Sequence, residues 1–195
     1  MSTTGIVIPH IVCDVVERAL AENVLTDTVI IAIDGACGGG KSTLGEALLA
    51  KYECNLFHMD DFFLRPEQRT KERYEEPGGN VDYERFQEEV LSHLADEDGF
   101  SYRPFCCRTM NFGETVRIRR HRLNIIEGAY SCHPYFGDIY QARFFVEVSP
   151  EIQKKRLLAR NGREQYQRFV NEWIPMENRY FAAFAIRQQC ISITV

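Results

Sequence analysis

Apolar residues recur along this chain in two alternating patterns, and the alternation predicts a layered fold. The run 29–33 is unbroken apolar sequence, as expected of a parallel strand that is buried on both faces. Further short strands are predicted at 55–60, 123–127, 143–148 and 191–195. Apolar positions spaced three or four residues apart predict helices at 9–22, 43–51, 82–94, 150–160 and 164–185. This order indicates a three-layer α/β fold with a mainly parallel central sheet.

Two features interrupt the alternation of strands and helices. Residues 100–103 and 115–118 are typical of short strands joined by a loop, which predicts a β-hairpin flap over about 100–119. The pair Asn161 and Gly162 breaks a helical pattern and predicts a hinged helical lid over about 156–166. We expect one domain over residues 1–195, in which the segment 1–26 forms a packing helix outside the catalytic core.

The segment between the first strand and the next helix has the spacing G-x-x-x-x-G-K-[ST]. Backbone N–H groups can approach a phosphate chain only where no side chain blocks them, and four glycines keep this loop open. The helix N-terminus adds the positive end of its dipole. We expect Lys41 to reach the β- and γ-phosphates and the Ser42 hydroxyl to bind Mg²⁺. The predicted nucleotide-binding residues are Gly35, Ala36, Cys37, Gly38, Gly39, Gly40, Lys41, Ser42 and Thr43. This motif defines a P-loop NTPase fold.

Acidic residues follow two of the predicted strands. Ligands of open α/β sheets bind at the carboxyl ends of the strands, so Asp60, Asp61 and Glu127 are expected to face the phosphate loop. Glu127 is a candidate for a contact to Mg²⁺ or to water. A turn or helix-cap role is the alternative for both aspartates. Asp60 and Glu127 could also exchange roles, because both end neighbouring strands. His58 lies within its strand and is predicted to be a core residue.

The helix that begins at Pro150 carries one basic stripe. Its members recur three and four residues apart and are Gln153, Arg156, Arg160 and Arg163. A phosphoryl-transfer site needs cations on its open side to balance developing charge, which makes the stripe a candidate for that role. A solvated helix face is the alternative.

Composition narrows the class of partner. The chain has 195 residues, of which 45% are hydrophobic and 26% charged, and its formal net charge of −5 does not favour a nucleic-acid polymer as partner. Its seven cysteines are scattered without metal-ligand spacing, which indicates reduced thiols in the cytoplasm and no zinc site. No apolar run approaches the roughly 20 residues of a membrane span, and no signal peptide is evident.

Three short motifs resemble those of a known family. The sequence contains no N-K-x-D motif for guanine recognition and no L-S-G-G-Q motif of transport ATPases. It does contain D-D-F-F at 60–63, N-V-D at 80–82 and I-I-E-G at 125–128, in that order after the phosphate loop. Over about residues 28–165 the chain therefore resembles the uridine kinase and phosphoribulokinase family of P-loop kinases. Nicotinamide riboside kinases carry a similar D-D-F-F.

The resemblance implies roles for matching residues. Asp60 would accept the proton of the attacking hydroxyl, and Glu127 would hold Mg²⁺ together with Ser42. Asp82 would contact sugar hydroxyls of the acceptor. The remaining implied contacts are aromatic walls of the acceptor pocket and lid arginines that close on the phosphates, namely Phe63, Tyr102, Arg156, Arg160 and Arg163. Asp61 would face the same substrate.

The chain departs from the uridine kinase pattern on the acceptor side. The stretch after Tyr102 has no histidine, and the lid reads R-N-G-R at 160–163. The working hypothesis is an ATP- and Mg²⁺-dependent kinase that phosphorylates a hydroxyl of a small metabolite, such as a uridine- or cytidine-like nucleoside. The alternatives are a vitamin riboside or sugar phosphate as acceptor, an ATP-binding regulatory protein with little turnover, and an ATPase that uses water. Assembly into a homo-oligomer stays open.

Overall fold

The structure is a computed structural model that describes residues 7–25 and 27–195. Of the predicted N-terminal segment 1–26, residues 1–6 and 26 lie outside this description. Within the described residues the helices are α1 His10–Glu22, α2 Lys41–Lys51, α3 Lys71–Glu75, α4 Tyr83–Glu89, α5 Pro150–Arg168 and α6 Ile174–Ala183. The strands are β1 Val29–Gly35, β2 Cys54–His58, β3 Phe100–Tyr102, β4 Phe105–Cys106, β5 Asn111–Phe112, β6 Val116–Ile118, β7 Leu123–Glu127, β8 Ala142–Glu147 and β9 Ile191–Thr194.

A five-stranded parallel sheet of order β2-β7-β1-β8-β9 forms the centre of the described chain. Strand β1 is buried along its whole length, because it lies between β7 and β8 and is covered on both faces. The register aligns Glu127 of β7 with Ile33 of β1 on one side and with His58 of β2 on the other. The carboxyl ends of three strands therefore meet at one edge of the sheet.

Two apolar cores cover the two faces of the sheet. The core on one face joins α1 and α2 to the sheet through residues such as Val16, Leu44 and Ile31. The core on the other face joins α4, α6 and the flap strands through residues such as Phe86 and Tyr180. The three-layer α/β fold with a mainly parallel sheet is thus confirmed. Helix α1 packs on β1 and β8.

The antiparallel ribbon predicted as a flap and the helix break predicted as a lid hinge are both present. Strand β3 pairs with β6 in antiparallel register, and a second small ribbon of β4 and β5 lies inside their connection. Helix α5 is interrupted at Gly162, where φ is 74° and ψ is 176°, so the predicted break is confirmed. Beyond it, a π-helical segment Phe169–Trp173 leads into α6.

Several predicted element bounds are wrong by a few residues. Helix α2 begins at Lys41 rather than at residue 43, because the loop ends at Gly40 with a φ of 107°. Strand β2 ends at His58, and Asp60 lies in a 3₁₀ turn, Met59–Phe62, instead of in the strand. Helix α4 ends at Glu89, several residues before the predicted end at 94.

Candidate active site

A cleft of about 550 Å³ opens at the carboxyl edge of the sheet. Lys41, Ser42 and Thr43 of the phosphate loop and of the first turn of α2 line it. The predicted acidic residues Asp60 and Glu127 line the same cleft. The structure therefore brings together the loop and both acids, as the strand-end argument predicts. The other cleft-lining residues of the nine predicted from the loop motif are Cys37, Gly38 and Gly40.

The phosphate loop needs glycine where it turns most sharply. Gly40 has a φ of 107°, and a Cβ atom there would lie 2.7 Å from Cγ2 of Val195. Such a φ is costly for any residue with a side chain. Lys41 is 8% exposed, and its Nζ donates hydrogen bonds to the carbonyl oxygens of Gly35 at 2.7 Å and Ala36 at 3.0 Å. These bonds hold the ammonium group against the phosphate loop, where it could also contact a bound phosphate chain.

Helix α5 supports the phosphate loop from outside. Arg156 donates to the carbonyl oxygens of Gly38 at 3.2 Å and Gly39 at 2.8 Å, and Gln153 donates to that of Cys37 at 2.9 Å. The guanidinium of Arg156 also lines the cleft. One side of the predicted basic stripe therefore fixes the backbone of the loop.

The last two arginines of the basic stripe lie on opposite sides of the helix break at Gly162. Arg160 lines the cleft, and its Nε donates to Oδ1 of Asn161 at 2.9 Å. Arg163 follows Gly162 and is exposed, and within residues 7–25 and 27–195 it is not among the cleft-lining residues. The structure thus brings Arg156 and Arg160 to the site and leaves Arg163 outside it.

A buried glutamate that the sequence analysis missed also borders the cleft. Glu177 of α6 is 6% exposed, and its Oε2 accepts a hydrogen bond of 2.9 Å from the backbone N–H of Cys37. Burial raises the pKa of the Glu177 carboxyl. The segment around Glu177 is rich in aromatic residues with helical spacing, which hid the single acid among core positions.

Asp34, the residue before the loop, is a second acid that the sequence analysis missed. Its Oδ1 accepts from the N–H groups of Gly35 at 2.7 Å and Tyr130 at 3.3 Å. Its Oδ2 accepts from the N–H of Cys132 at 3.0 Å and the hydroxyl of Tyr180 at 2.8 Å. Burial raises the pKa of the Asp34 carboxyl, although these donors favour its charged form. Asp34 thereby ties the phosphate loop to the loop after β7 and to α6.

Asp60 and Glu127 differ in their surroundings. The side chain of Asp60 is exposed to the cleft, and the protein around it still displaces enough water to raise the pKa of its carboxyl, while Lys41 opposes that shift. Glu127 is buried at the end of β7. The raised pKa suits a group that has to accept a proton during a reaction.

The donor set of the cleft fits Mg²⁺. Mg²⁺ binds oxygen ligands and commonly uses one or two carboxylates together with substrate phosphates and water. Ser42, Asp60 and Glu127 supply one hydroxyl and two carboxylates to the same cleft. In the described part of the chain, no group of three or more His, Cys, Asp or Glu side chains could hold a metal by itself. An Mg²⁺ ion at this site would take its remaining ligands from phosphate and water.

The prediction that His58 is a core residue is wrong. Its side chain is 34% exposed, and its Nδ1 lies 2.5 Å from Oε1 of Glu127. This hydrogen bond raises the pKa of the His58 imidazole. The parallel pairing of β2 with β7 places the two residues side by side, which no local sequence signal indicates.

Four residues predicted for the acceptor pocket contact other parts of the protein, and two of them contact each other. Asp61 accepts a 3.0 Å hydrogen bond from the hydroxyl of Tyr102, and Phe63 bridges to Val81. Asp82 accepts from the N–H of Arg85 at 3.2 Å and caps α4. Within the described residues, the lining of the cleft does not include Asp61, Phe63, Asp82 or Tyr102. Their contact with an acceptor stays a prediction.

The loop after β7 is fixed by a buried histidine. His133 stacks on Tyr83 with ring centroids 4.4 Å apart, and its Nδ1 accepts from the N–H of Tyr135 at 3.2 Å. A Cβ atom at Gly78 would lie 2.6 Å from the imidazole. Burial lowers the pKa of His133 to about 4. A neutral imidazole therefore joins this loop to the glycine-containing turn before α4.

Solved structures share this architecture. A possible uridine kinase from Bacillus stearothermophilus matches with a TM-score of 0.66 and 17% identity, over 94% of this chain and 99% of that chain. A candidate fructose transport system kinase from Silicibacter sp. gives 0.64 and 20%, over 96% and 97%. D-glycerate 3-kinase from Cryptococcus neoformans gives 0.57 and 14%, over 86% of both chains.

These similarities define the class of fold. The chain has the fold of the P-loop kinases, and the named neighbours differ from one another in substrate. No protein-family profile matches the chain, and no curated protein sequence matches it. None of the helices described in residues 7–25 and 27–195 is long and apolar enough to cross a membrane.

Proposed function

We propose that the protein is a kinase that transfers the γ-phosphate of ATP to a hydroxyl group of a small metabolite. The observation that carries this proposal is the shared cleft, in which a phosphate loop with Lys41 faces the two carboxylates Asp60 and Glu127. A protein that only bound the nucleotide would not need Asp60, a carboxylate whose pKa burial raises, beside the loop in addition to Glu127.

The proposed reaction assigns one step to each group. The acceptor hydroxyl attacks the γ-phosphorus on the side opposite the β–γ bridging oxygen. The bond between the γ-phosphorus and that oxygen breaks, and the oxygen leaves as part of ADP. Asp60 orients the hydroxyl and takes its proton. Lys41 stabilises the negative charge that develops on the phosphoryl oxygens. Ser42 and Glu127 would hold Mg²⁺, which neutralises charge on the β- and γ-phosphates when it is bound.

Arginines complete the open side of the cleft. Arg156 and Arg160 line it, and their guanidinium groups can pair with phosphate oxygens. The kink at Gly162 gives the lid a hinge next to Arg160. Closure there would exclude water, which keeps ATP hydrolysis slow without an acceptor.

For the acceptor we propose a nucleoside of the uridine or cytidine type. The motifs D-D-F-F, N-V-D and I-I-E-G support it, and so does the name of one structural neighbour. The names of the other neighbours favour testing sugars and hydroxy acids as well. A regulatory ATP-binding protein is the second candidate, because Asp61, Tyr102 and Asp82 already contact one another or α4.

The test is ADP production from Mg·ATP against a panel of nucleosides, vitamin ribosides, sugars, sugar phosphates and hydroxy acids. Acceptor-dependent ADP is expected for one class, and Asp60→Asn should lower that rate by about 10²–10⁴-fold while ATP still binds. Asp138→Asn is the matched control, because Asp138 is exposed and pairs with Arg143. If no acceptor raises ADP production while ATP binds tightly, the regulatory role replaces the kinase.

A second experiment separates the two acids. Asp60→Asn and Glu127→Gln are each titrated with Mg²⁺ in the same assay. The metal ligand is the residue whose loss is partly rescued by high Mg²⁺, since a weakened site is refilled by mass action. Rescue of Asp60→Asn alone would reverse the assignment made here.

A further inference from the structure

We infer that His58 is a positioning residue that orients Glu127 toward the divalent cation. The inference rests on the proposed function, because it concerns the cation of the proposed ATP complex. The first observation is the direct contact between Nδ1 of His58 and Oε1 of Glu127 at 2.5 Å. The second is their register, since the two residues are direct partners across parallel strands β2 and β7.

The contact selects one oxygen of the carboxylate. A glutamate side chain can rotate about its last torsion, so an isolated carboxylate presents its oxygens in many directions. His58 holds Oε1, and Glu127 lines the cleft, so we expect Oε2 to be the oxygen that is presented to the cation. Both the neutral imidazole with a proton on Nδ1 and the imidazolium donate from this nitrogen. The orienting role therefore does not depend on the protonation state of His58.

Helix α2 confines the same side chain from another direction. A Cβ atom at Gly45 would lie 3.4 Å from Cγ of Glu127, so the glycine leaves space for the glutamate to pass close to the helix. Gly45 lies three residues after Ser42 and therefore on the same face of α2. Glu127 is thus held between His58 and the helix turn that carries the predicted hydroxyl ligand.

This arrangement is the one that metal sites use to fix their carboxylate ligands. Ligating carboxylates accept hydrogen bonds from a surrounding layer of side chains, and loss of one such partner typically weakens metal binding by about 10- to 100-fold. Glu127 is 5% exposed on its side chain, so solvent offers little replacement for the lost donor. The same range is expected for His58.

The experiment measures the Mg²⁺ concentration that half-maximally enhances binding of a fluorescent, non-hydrolysable ATP analogue. His58→Leu removes the donor, whereas His58→Asn places an amide nitrogen near the position of Nδ1. His93→Leu is the matched control, because His93 makes an equivalent contact with Asp96 at 2.7 Å on the exposed surface. Thermal unfolding of all variants shows whether each is folded.

The expected result is a 10- to 100-fold higher Mg²⁺ requirement for His58→Leu, with His58→Asn and His93→Leu within about threefold of the wild type. An unchanged or lower Mg²⁺ requirement in His58→Leu would overturn the inference. The readout does not need turnover. A wild-type protein with Mg²⁺-enhanced binding but no acceptor-dependent ADP would contradict the proposed kinase reaction and leave the role of His58 intact.

Discussion

The candidate site has a donor half, for the nucleotide phosphates, and a proposed acceptor half, and the two are formed by different kinds of chemical group. The donor half consists mainly of backbone groups within one short segment, and the Nζ of Lys41 is held by the carbonyl oxygens of Gly35 and Ala36 in that same segment. The residues predicted for the acceptor half are side chains from distant segments, such as Asp61 and Tyr102, which are separated by 41 residues. A loop of backbone donors serves any phosphate chain, whereas the acceptor half has to be specific. The donor half therefore carries general phosphate-binding chemistry, whereas the acceptor half would determine which substrate this protein accepts.

The largest of these expected effects comes from removing the principal side chain of the donor half, Lys41. Lys41→Ala removes the ammonium group over the loop, and loss of one such charge-stabilising donor should lower kcat/KM for ATP by about 10²–10³-fold. Steady-state ADP production and binding of an ATP analogue measure the effect. Lys51→Ala is the control, since Lys51 ends the same helix and makes an exposed pair with Glu17. Equal losses in both variants would contradict the assignment of Lys41.

An intermediate effect concerns the loop after β7, which His133 fixes, and is measured through pH. The folded-state pKa of His133 is about 4, below the usual value of about 6.5, so the unfolded chain binds a proton that the native protein resists. Stability from this group is complete above about pH 6.5 and is lost as the pH falls toward 4. Urea unfolding at pH ~7 and ~4.5 should show a loss of roughly 2–3 kcal/mol from this residue.

The control for that measurement is His133→Gln, which has no ionisable ring. Its unfolding free energy should be lower at neutral pH because the stacking on Tyr83 is lost. Between pH ~7 and ~4.5 its unfolding free energy should fall by roughly 2–3 kcal/mol less than that of the wild type. Parallel pH profiles for the two proteins would show that His133 does not resist protonation.

The smallest expected effect comes from the last two lid arginines, of which only the first lines the cleft. Arg160 lines the cleft and Arg163 does not, so Arg160→Ala should lower acceptor-dependent kcat by about tenfold, the scale of one charged hydrogen bond of ~1.5 kcal/mol. Arg163→Ala should stay within about twofold. Single-turnover measurements at saturating ATP give both values. A larger effect of Arg163 would mean that the lid closes further than the kink at Gly162 implies.

The sequence predicts the donor half better than the acceptor half for a physical reason. The loop spacing alone identified Lys41 and Ser42, and apolar runs followed by acids brought Asp60 and Glu127 to one cleft. These signals are local, because a strand end and a helix start constrain the few residues between them. Strand β1 is predicted for the same reason, since burial on both faces leaves an unbroken apolar run.

The remaining site residues depend on contacts that no local pattern contains. His58 meets Glu127 across 69 residues, and Glu177 meets Cys37 across 140. Which two strands become neighbours decides the first contact, and the path of the chain beyond Gly162 decides the second. Asp34 offered a signal, because it is the charged residue that ends an apolar run, and its partners still could not be inferred.

The buried Asp34 has a consequence for the order in which the chain folds. Its carboxylate lies in β1, but two of its donors belong to Cys132 and Tyr180, which follow 98 and 146 residues later. A buried carboxylate without its donors is costly, so we expect the strand to complete its burial only after α6, which carries Tyr180, has packed against it. We expect nucleotide binding to appear late in refolding, after helical circular dichroism has recovered. Binding that appeared with the first helices would show that the loop forms without this anchor.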